Sequence, residues 1–205
     1  MFNKTMKTLL SLFLLLFSSS VIAEDISDFK IEQYSIGKNL LDFLTKDKIY
    51  EEIKRNAYMY DYLGEPNKYG EVYIYKGLQN YNNITFFVSG IGNEYIEKKE
   101  IIIEGLTGTI EYNNIQSCLK KRDELENVFI TLFSYYEKET NIVYHPIDPS
   151  GKSQIDEILY FFDSGDAATL QCYDFEENLR IKNNWIDGLV ISLYKKEVYD
   201  WLSNY

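Results

Sequence analysis

The chain has 205 residues, 32 of them acidic and 21 basic, for a formal net charge of −11 at pH 7. That balance argues against nucleic acid and anionic lipid as partners, since both need a basic face. With one histidine and two cysteines, no transition-metal centre can be assembled from His/Cys clusters, and no cofactor is implied.

Residues 1–23 read as a signal peptide. Lys4 and Lys7 form a basic start and Thr8 to Phe17 is an almost unbroken apolar run. Three serines then lead to Val21-Ile22-Ala23, which suits a signal-peptidase cut before Glu24. The apolar run is short for a membrane span. No cysteine stands at the cut to accept lipid, and no later segment is apolar for long enough to span. Residues 24–205 then form a single exported domain, periplasmic or secreted, large enough for its own core.

Glu24 to Tyr34 is a lead-in, with an edge strand expected around Phe29-Lys-Ile31. Ser35 can cap a helix carrying Ile36, Leu40, Leu41 and Leu44. Thr45 can cap a second, Lys46 to Asn56, with Ile49 and Ile53 inward. Tyr58 to Tyr69 is a polar, aromatic connection whose turn signal is Gly64 and Pro66. Three strands follow, about Glu71–Lys76, Ile84–Ser89 and Glu97–Tyr112, with turns at Asn80–Asn83 and Gly90–Asn93. The third strand is rich in β-branched residues and is expected to bend or bulge at Gly105 and Gly108.

Asn113-Asn114 offers an N-cap for the longest helix. Apolar residues recur at Ile115, Cys118, Leu119, Leu125, Val128, Phe129, Leu132, Phe133 and Tyr136. Intervals of three and four put one stripe along about six turns, ending near Lys138. Asn141 to Ser153 reads as a loop holding His145, Pro146, Pro149 and Gly151. A second set of strands is expected at about Glu157–Phe162, Thr169–Phe175 and Leu189–Tyr194, with a tight turn at Ser164-Gly165. Lys196 to Asn204 completes the chain as a short helix with Val198, Trp201 and Leu202 inward. The fold class is α+β: a mainly antiparallel sheet of about six strands with one long central helix and shorter terminal helices, laid out like a degenerate helix-plus-three-strand duplication.

Two cysteines in an exported chain predict one disulfide, Cys118–Cys172. Cys118 is in the apolar stripe, and Cys172 shares a strand face with Leu170. The bridge would close a loop of about 55 residues, worth about 4 kcal/mol in the chain-entropy model.

Catalytic apparatus is sparse. His145 stands in a Pro-flanked loop with no Gly-x-Ser-x-Gly elsewhere, which reads as a solvated histidine whose replacement by alanine leaves the fold untouched. Gly151-Lys-Ser153 mimics the end of a phosphate-binding loop but lacks the earlier glycine and strand. Asp148, Asp156, Asp163, Asp166 and Asp174, with Glu157, form an acidic group around the second half. Such oxygen ligands can hold Ca²⁺ or bind a cationic ligand, although their spacing matches no calcium loop. Asp163 and Asp166 also suit a turn around Ser164-Gly165.

Ile31-Glu-Gln-Tyr-Ser-Ile-Gly-Lys-Asn-Leu-Leu-Asp-Phe43 resembles the opening of an uncharacterised family of small exported proteins of marine alphaproteobacteria. Ser150–Ser153, Phe162–Asp166, Cys172-Tyr-Asp174 and Tyr199–Leu202 resemble further motifs of that family. The resemblance implies a shared exported fold and shared cysteines, and no activity. The layout is also similar to the helix-plus-three-strand envelope domains of the BamE-like and β-lactamase-inhibitor-protein-like groups.

These features together lead to an exported non-enzymatic binding or protein-interaction domain, its partner an envelope protein or a glycan. The alternatives are a carboxylate-based hydrolase acting on glycan or peptidoglycan, which two converging carboxylates would favour, and a structural envelope protein.

Overall fold

The computed structural model describes residues 25–63, 68–91, 100–133 and 136–204. The leader, the Gly64/Pro66 turn, Gly92-Asn93 and the first residues expected for the third strand lie outside them.

Among the described residues seven strands form one open antiparallel sheet: β1 (Gly70–Ile74), β2 (Asn83–Ser89), β3 (Ile102–Glu111), β4 (Glu137–Tyr144), β5 (Gln154–Phe161), β6 (Ala167–Asp174) and β7 (Gly188–Tyr194). Their spatial order is β1-β2-β3-β7-β6-β5-β4. The class is therefore the α+β fold with an antiparallel sheet read from the sequence, with one strand more. Four α-helices are described: α1 (Lys46–Met59), α2 (Ile115–Leu132), α3 (Glu177–Asn183) and α4 (Lys196–Leu202).

Strand alternation sorts the sheet into two faces. Val72 and Ile74, Phe86 and Val88, Leu106, Ile191, Leu170, Ile158 and Tyr160 belong to one core cluster. On that face α1 packs against β1, and α2 against β6 and β7. The N-terminal segment fills the rest. Phe29 stacks on Phe133 at 4.3 Å, and Tyr34 meets Phe86 edge-on at 4.9 Å. The opposite face carries a smaller cluster in which Val198 and Trp201 of α4 bury Leu63, Tyr69 and Phe87.

Helix α1 starts where Thr45 accepts the Lys48 N–H and buries Ile49 and Ile53, as its spacing predicts. It runs on to Met59. Asn56 supplies the reason: although polar it is buried, and its Nδ2 donates to the Glu71 carbonyl of β1 at 2.8 Å. Helix α2 is capped by Asn114, whose side chain accepts the Ser117 N–H.

Four expectations need correcting. The helix expected from Ser35 is instead a 3-10 turn, Leu40–Asp42. Gly37 has φ +80°, and the Gly37 and Leu40 N–H groups donate to the Ile103 and Ile101 carbonyls, so the backbone is spent on the third strand. The edge strand at Phe29–Ile31 is absent: Ile26–Asp28 is a 3-10 turn, followed by a tight Ile31–Tyr34 bridge around Glu32 at φ 57°. The long helix stops at Leu132, and Glu137–Tyr144 of the expected helix end and loop forms β4. Phe133 and Tyr136 keep helical spacing yet lie beyond the helix end, where they meet Phe162 and Tyr160. Finally, α3 occupies a connection to which the sequence reading assigned no element.

The bulge expected at Gly105 is present: Phe87 pairs with Gly105 but Val88 with Ile103, leaving Glu104 extra. Gly108 sits in unbroken register, and a Cβ there would fall 2.5 Å from the Tyr81 ring. It is glycine because an aromatic ring lies on the strand.

The disulfide Cys118–Cys172 is formed, with Cα atoms 5.9 Å apart. It begins a series of ties spaced one helical turn apart along α2. Cys118 binds β6, Arg122 pairs with Asp156 of β5, and Glu126 pairs with Lys138 of β4. Residues four apart share a helix face, so one stripe of α2 fastens three neighbouring strands.

Candidate functional site

The five aspartates singled out from sequence do not come together. Among the described residues no group of three or more His, Cys, Asp or Glu side chains is placed to hold a metal ion. Asp156 is the partner of Arg122. Asp163 is exposed at the tip of the β5–β6 hairpin. Asp166 is buried: it accepts the Lys196 N–H and the Lys195 Nζ, both at 2.9 Å. It thereby holds the hairpin to the start of α4, whereas the turn itself is braced by Ser164 Oγ accepting the Asp166 N–H.

The other two lie at the opposite end of the sheet, near the loop that joins β4 to β5. Asp148 is buried there and accepts the N–H groups of Ser150, Lys152 and Ser153. Hydrogen bonding, from the Ser150 side chain foremost and then from the loop amides, holds its carboxyl well below the usual carboxylate range against the opposing effect of burial. The amides that made Gly151-Lys-Ser153 look like the end of a phosphate loop are thus already occupied by a carboxylate of the same loop. Asp148→Ala should release them, read as faster amide hydrogen exchange at Ser150, Lys152 and Ser153; unchanged exchange would refute this account. Asp174 ends β6 half-buried and is pushed up, first by burial and then by the charge of Asp187. Asp187 is itself committed, accepting the Phe175 N–H at 2.8 Å.

His145 is not the solvated residue its sequence context predicts. Its ring packs on Trp185 at 4.9 Å and on Phe175 at 5.4 Å, and burial pulls its pKa down. Removing the ring opens this aromatic cluster, so His145→Ala is expected to loosen the α3 end of the sheet.

Beside that loop, β4 is the outermost strand and, among the described residues, is bonded only to β5. All eight of its residues are exposed. Ile142, Tyr144 and, just beyond, Ile147 are each 61% exposed. Natural edges are shielded by proline, bulges or a covering loop; here the register with β5 is unbroken from Glu137 to Tyr144. Its single lysine, Lys138, is paired with Glu126, so Glu137 and Glu139 set the charge of the edge.

A different polar arrangement occupies the sheet face opposite α1 and α2. Glu71 on β1 is 3% exposed. Its Oε1 accepts the Tyr73 hydroxyl at 2.9 Å and its Oε2 the Tyr62 hydroxyl at 3.1 Å. Burial raises its pKa to about 7 against the two hydrogen bonds, and raises both tyrosines far above their usual value. With both oxygens engaged and so little exposure, Glu71 is placed to hold β1 to the Asp61–Leu63 turn rather than to reach a substrate. Further along this face, Gln171 Nε2 donates to Glu157 Oε2 at 2.9 Å. Sequence reasoning missed this face. The one available signal was the alternation of Glu71, Tyr73 and Tyr75 with Val72 and Ile74.

No helix among the described residues is long and apolar enough to cross a membrane. No protein-family model, no curated protein and no solved structure matches the chain.

Proposed function

We propose that the chain is an exported, non-enzymatic interaction domain that takes an extended segment of a partner protein along the free edge of β4. The observation that carries this is the exposure of all eight residues from Glu137 to Tyr144 on a strand that, among the described residues, is paired from one side only. Unpaired strand backbone is a template for one more strand, with hydrogen bonds supplying affinity and alternate side chains supplying selectivity. Ile142 and Tyr144 offer apolar contacts on one side of the strand; Glu137 and Glu139 offer carboxylates on the other. The favoured partner segment is therefore β-branched and basic. Export is supported by the disulfide, which persists in oxidising compartments, by the basic-apolar leader, and by the resemblance to small exported proteins.

A photo-crosslinking residue at position 142, in cells that make the protein, is expected to capture a recurrent partner protein. Ile142→Lys combined with Tyr144→Lys should abolish crosslinking from position 143 while changing stability by less than about 0.5 kcal/mol, as exposed substitutions do. Capture that survives both lysines, or no capture at all, would sink the edge-strand reading.

A further inference from the structure

The two edges of the sheet are finished differently. Along β1, helix α1 stands in for a neighbouring strand: Asn56 Nδ2 donates to the Glu71 carbonyl at 2.8 Å, and Glu52 Oε2 accepts the Tyr73 N–H at 3.3 Å. Among the described residues no element does this for β4. The register shows which of its groups are open. The His145 N–H donates to the Ser153 carbonyl at 2.9 Å, one step beyond the Tyr144–Gln154 pair. In an antiparallel pair, residues alternate between bonding the neighbouring strand and turning away from it. Glu137, Glu139, Asn141 and Val143 therefore bond β5, and Lys138, Thr140, Ile142 and Tyr144 turn N–H and C=O outward. An arriving strand finds a donor and an acceptor at each of these last residues.

The side chains sort by the same register. Lys138 and Thr140 pair with Tyr160 and Ile158, which belong to the core under α2. Directly paired residues project from the same side of a sheet. Lys138, Thr140, Ile142 and Tyr144 therefore lie on the α2 side, where Lys138 meets Glu126. Glu137, Glu139, Asn141 and Val143 lie on the other. At the Tyr144 end the strand is apolar on both sides, through Ile142, Val143 and Tyr144, all exposed. At the Glu137 end it presents two carboxylates, and no ion pair among the described residues engages either. The open edge thus runs from apolar to anionic, and a segment laid along it has a right and a wrong direction.

Resting on the edge-strand reading above, we propose that the occupant of β4 is an antiparallel segment of fixed order. Three apolar residues face Tyr144, Val143 and Ile142, and two small polar ones face Asn141 and Thr140. Lysine or arginine then faces Glu139 and Glu137, with an uncharged residue between them opposite Lys138. Antiparallel pairing lets one partner residue close both open groups of each outward residue. The test is an amide NMR titration of the disulfide-intact protein with the end-blocked peptide Val-Val-Ile-Thr-Thr-Lys-Thr-Lys and with the same sequence reversed. The first is expected to shift the β4 amides and to slow hydrogen exchange at Lys138, Thr140, Ile142 and Tyr144. The reversed peptide should bind about tenfold more weakly. Glu137→Lys combined with Glu139→Lys, both exposed positions, should weaken the first peptide about tenfold, the worth of two surface ion pairs. Equal binding of the two peptides along β4, or binding unaltered by the paired lysines, would overturn the fixed order and leave the edge-strand reading standing. No shift along β4 with either peptide at about 5 mM would overturn both.

Discussion

Replacing Cys118 and Cys172 together by alanine is expected to cost about 4 kcal/mol of stability, a large share of the roughly 5–15 kcal/mol a domain has. The bridge closes a loop spanning 54 positions, so its loss frees that much chain in the unfolded state. The effect should not stop at entropy. Cys118 is the first of the three ties that α2 makes to β6, β5 and β4, and it alone is covalent. Arg122 and Glu126 hold their partners near the surface, where ion pairs contribute at most about 1 kcal/mol each. Without the bridge, α2 should detach from β4 and β5 before the rest of the sheet melts. Urea unfolding followed by tyrosine fluorescence should show a lower midpoint, with amide exchange in α2 accelerated more than in β2. A midpoint shift corresponding to less than about 1 kcal/mol would mean that the reduced state keeps the same constraint by packing alone.

The second large effect concerns acidity. Glu71 has a usual value of 4.5 and stands at about 7 in the folded protein. The folded state therefore holds a proton that the unfolded state gives up between those two values. The stability Glu71 contributes is complete below pH 4.5 and is lost as pH rises through 7. At about 1.4 kcal/mol per unit, the span from 4.5 to 7 corresponds to about 3 kcal/mol. His145 acts in the opposite sense, because burial lowers its pKa and favours the fold as pH rises. The informative quantity is thus the difference between wild type and Glu71→Gln, in which His145 cancels. That variant should gain stability over wild type from pH 4.5 to about 7 and level off above it, at about 3 kcal/mol. Parallel stability curves for the two proteins would show that Glu71 keeps an ordinary carboxylate pKa.

Most of the sheet was legible because its strands are half-buried and alternate. Leu170 and Cys172 mark one face of β6, and both are fully buried, which is why the disulfide could be drawn from spacing. β4 was hidden by the same logic: with all eight residues exposed, no burial pattern exists to be read. The segment from Ser35 to Leu44 has the apolar spacing of a helix, but its amides bond to β3, a long-range choice that no local pattern encodes. Burial of Glu71 depends on Tyr62 and Tyr73 closing over it, again a tertiary fact. Composition spoke to the acidic surface, not to where its carboxylates would gather.

The position of β7 governs the order in which the molecule can be completed. It follows every other strand in the chain yet lies between β3 and β6. Until Gly188–Tyr194 has emerged during synthesis, β1–β3 and β4–β6 are two separate meanders with their inner edges bare. Cys118 and Cys172 both precede β7, so oxidation can lock the second meander to its helix before the two are joined. The last step is then insertion of one strand into a waiting gap, a long-range closure that is intrinsically slow. A nascent chain halted before Gly188 should bind any free strand it meets, including a copy of itself, and a chaperone that shields bare edges would be needed at that stage and at no other.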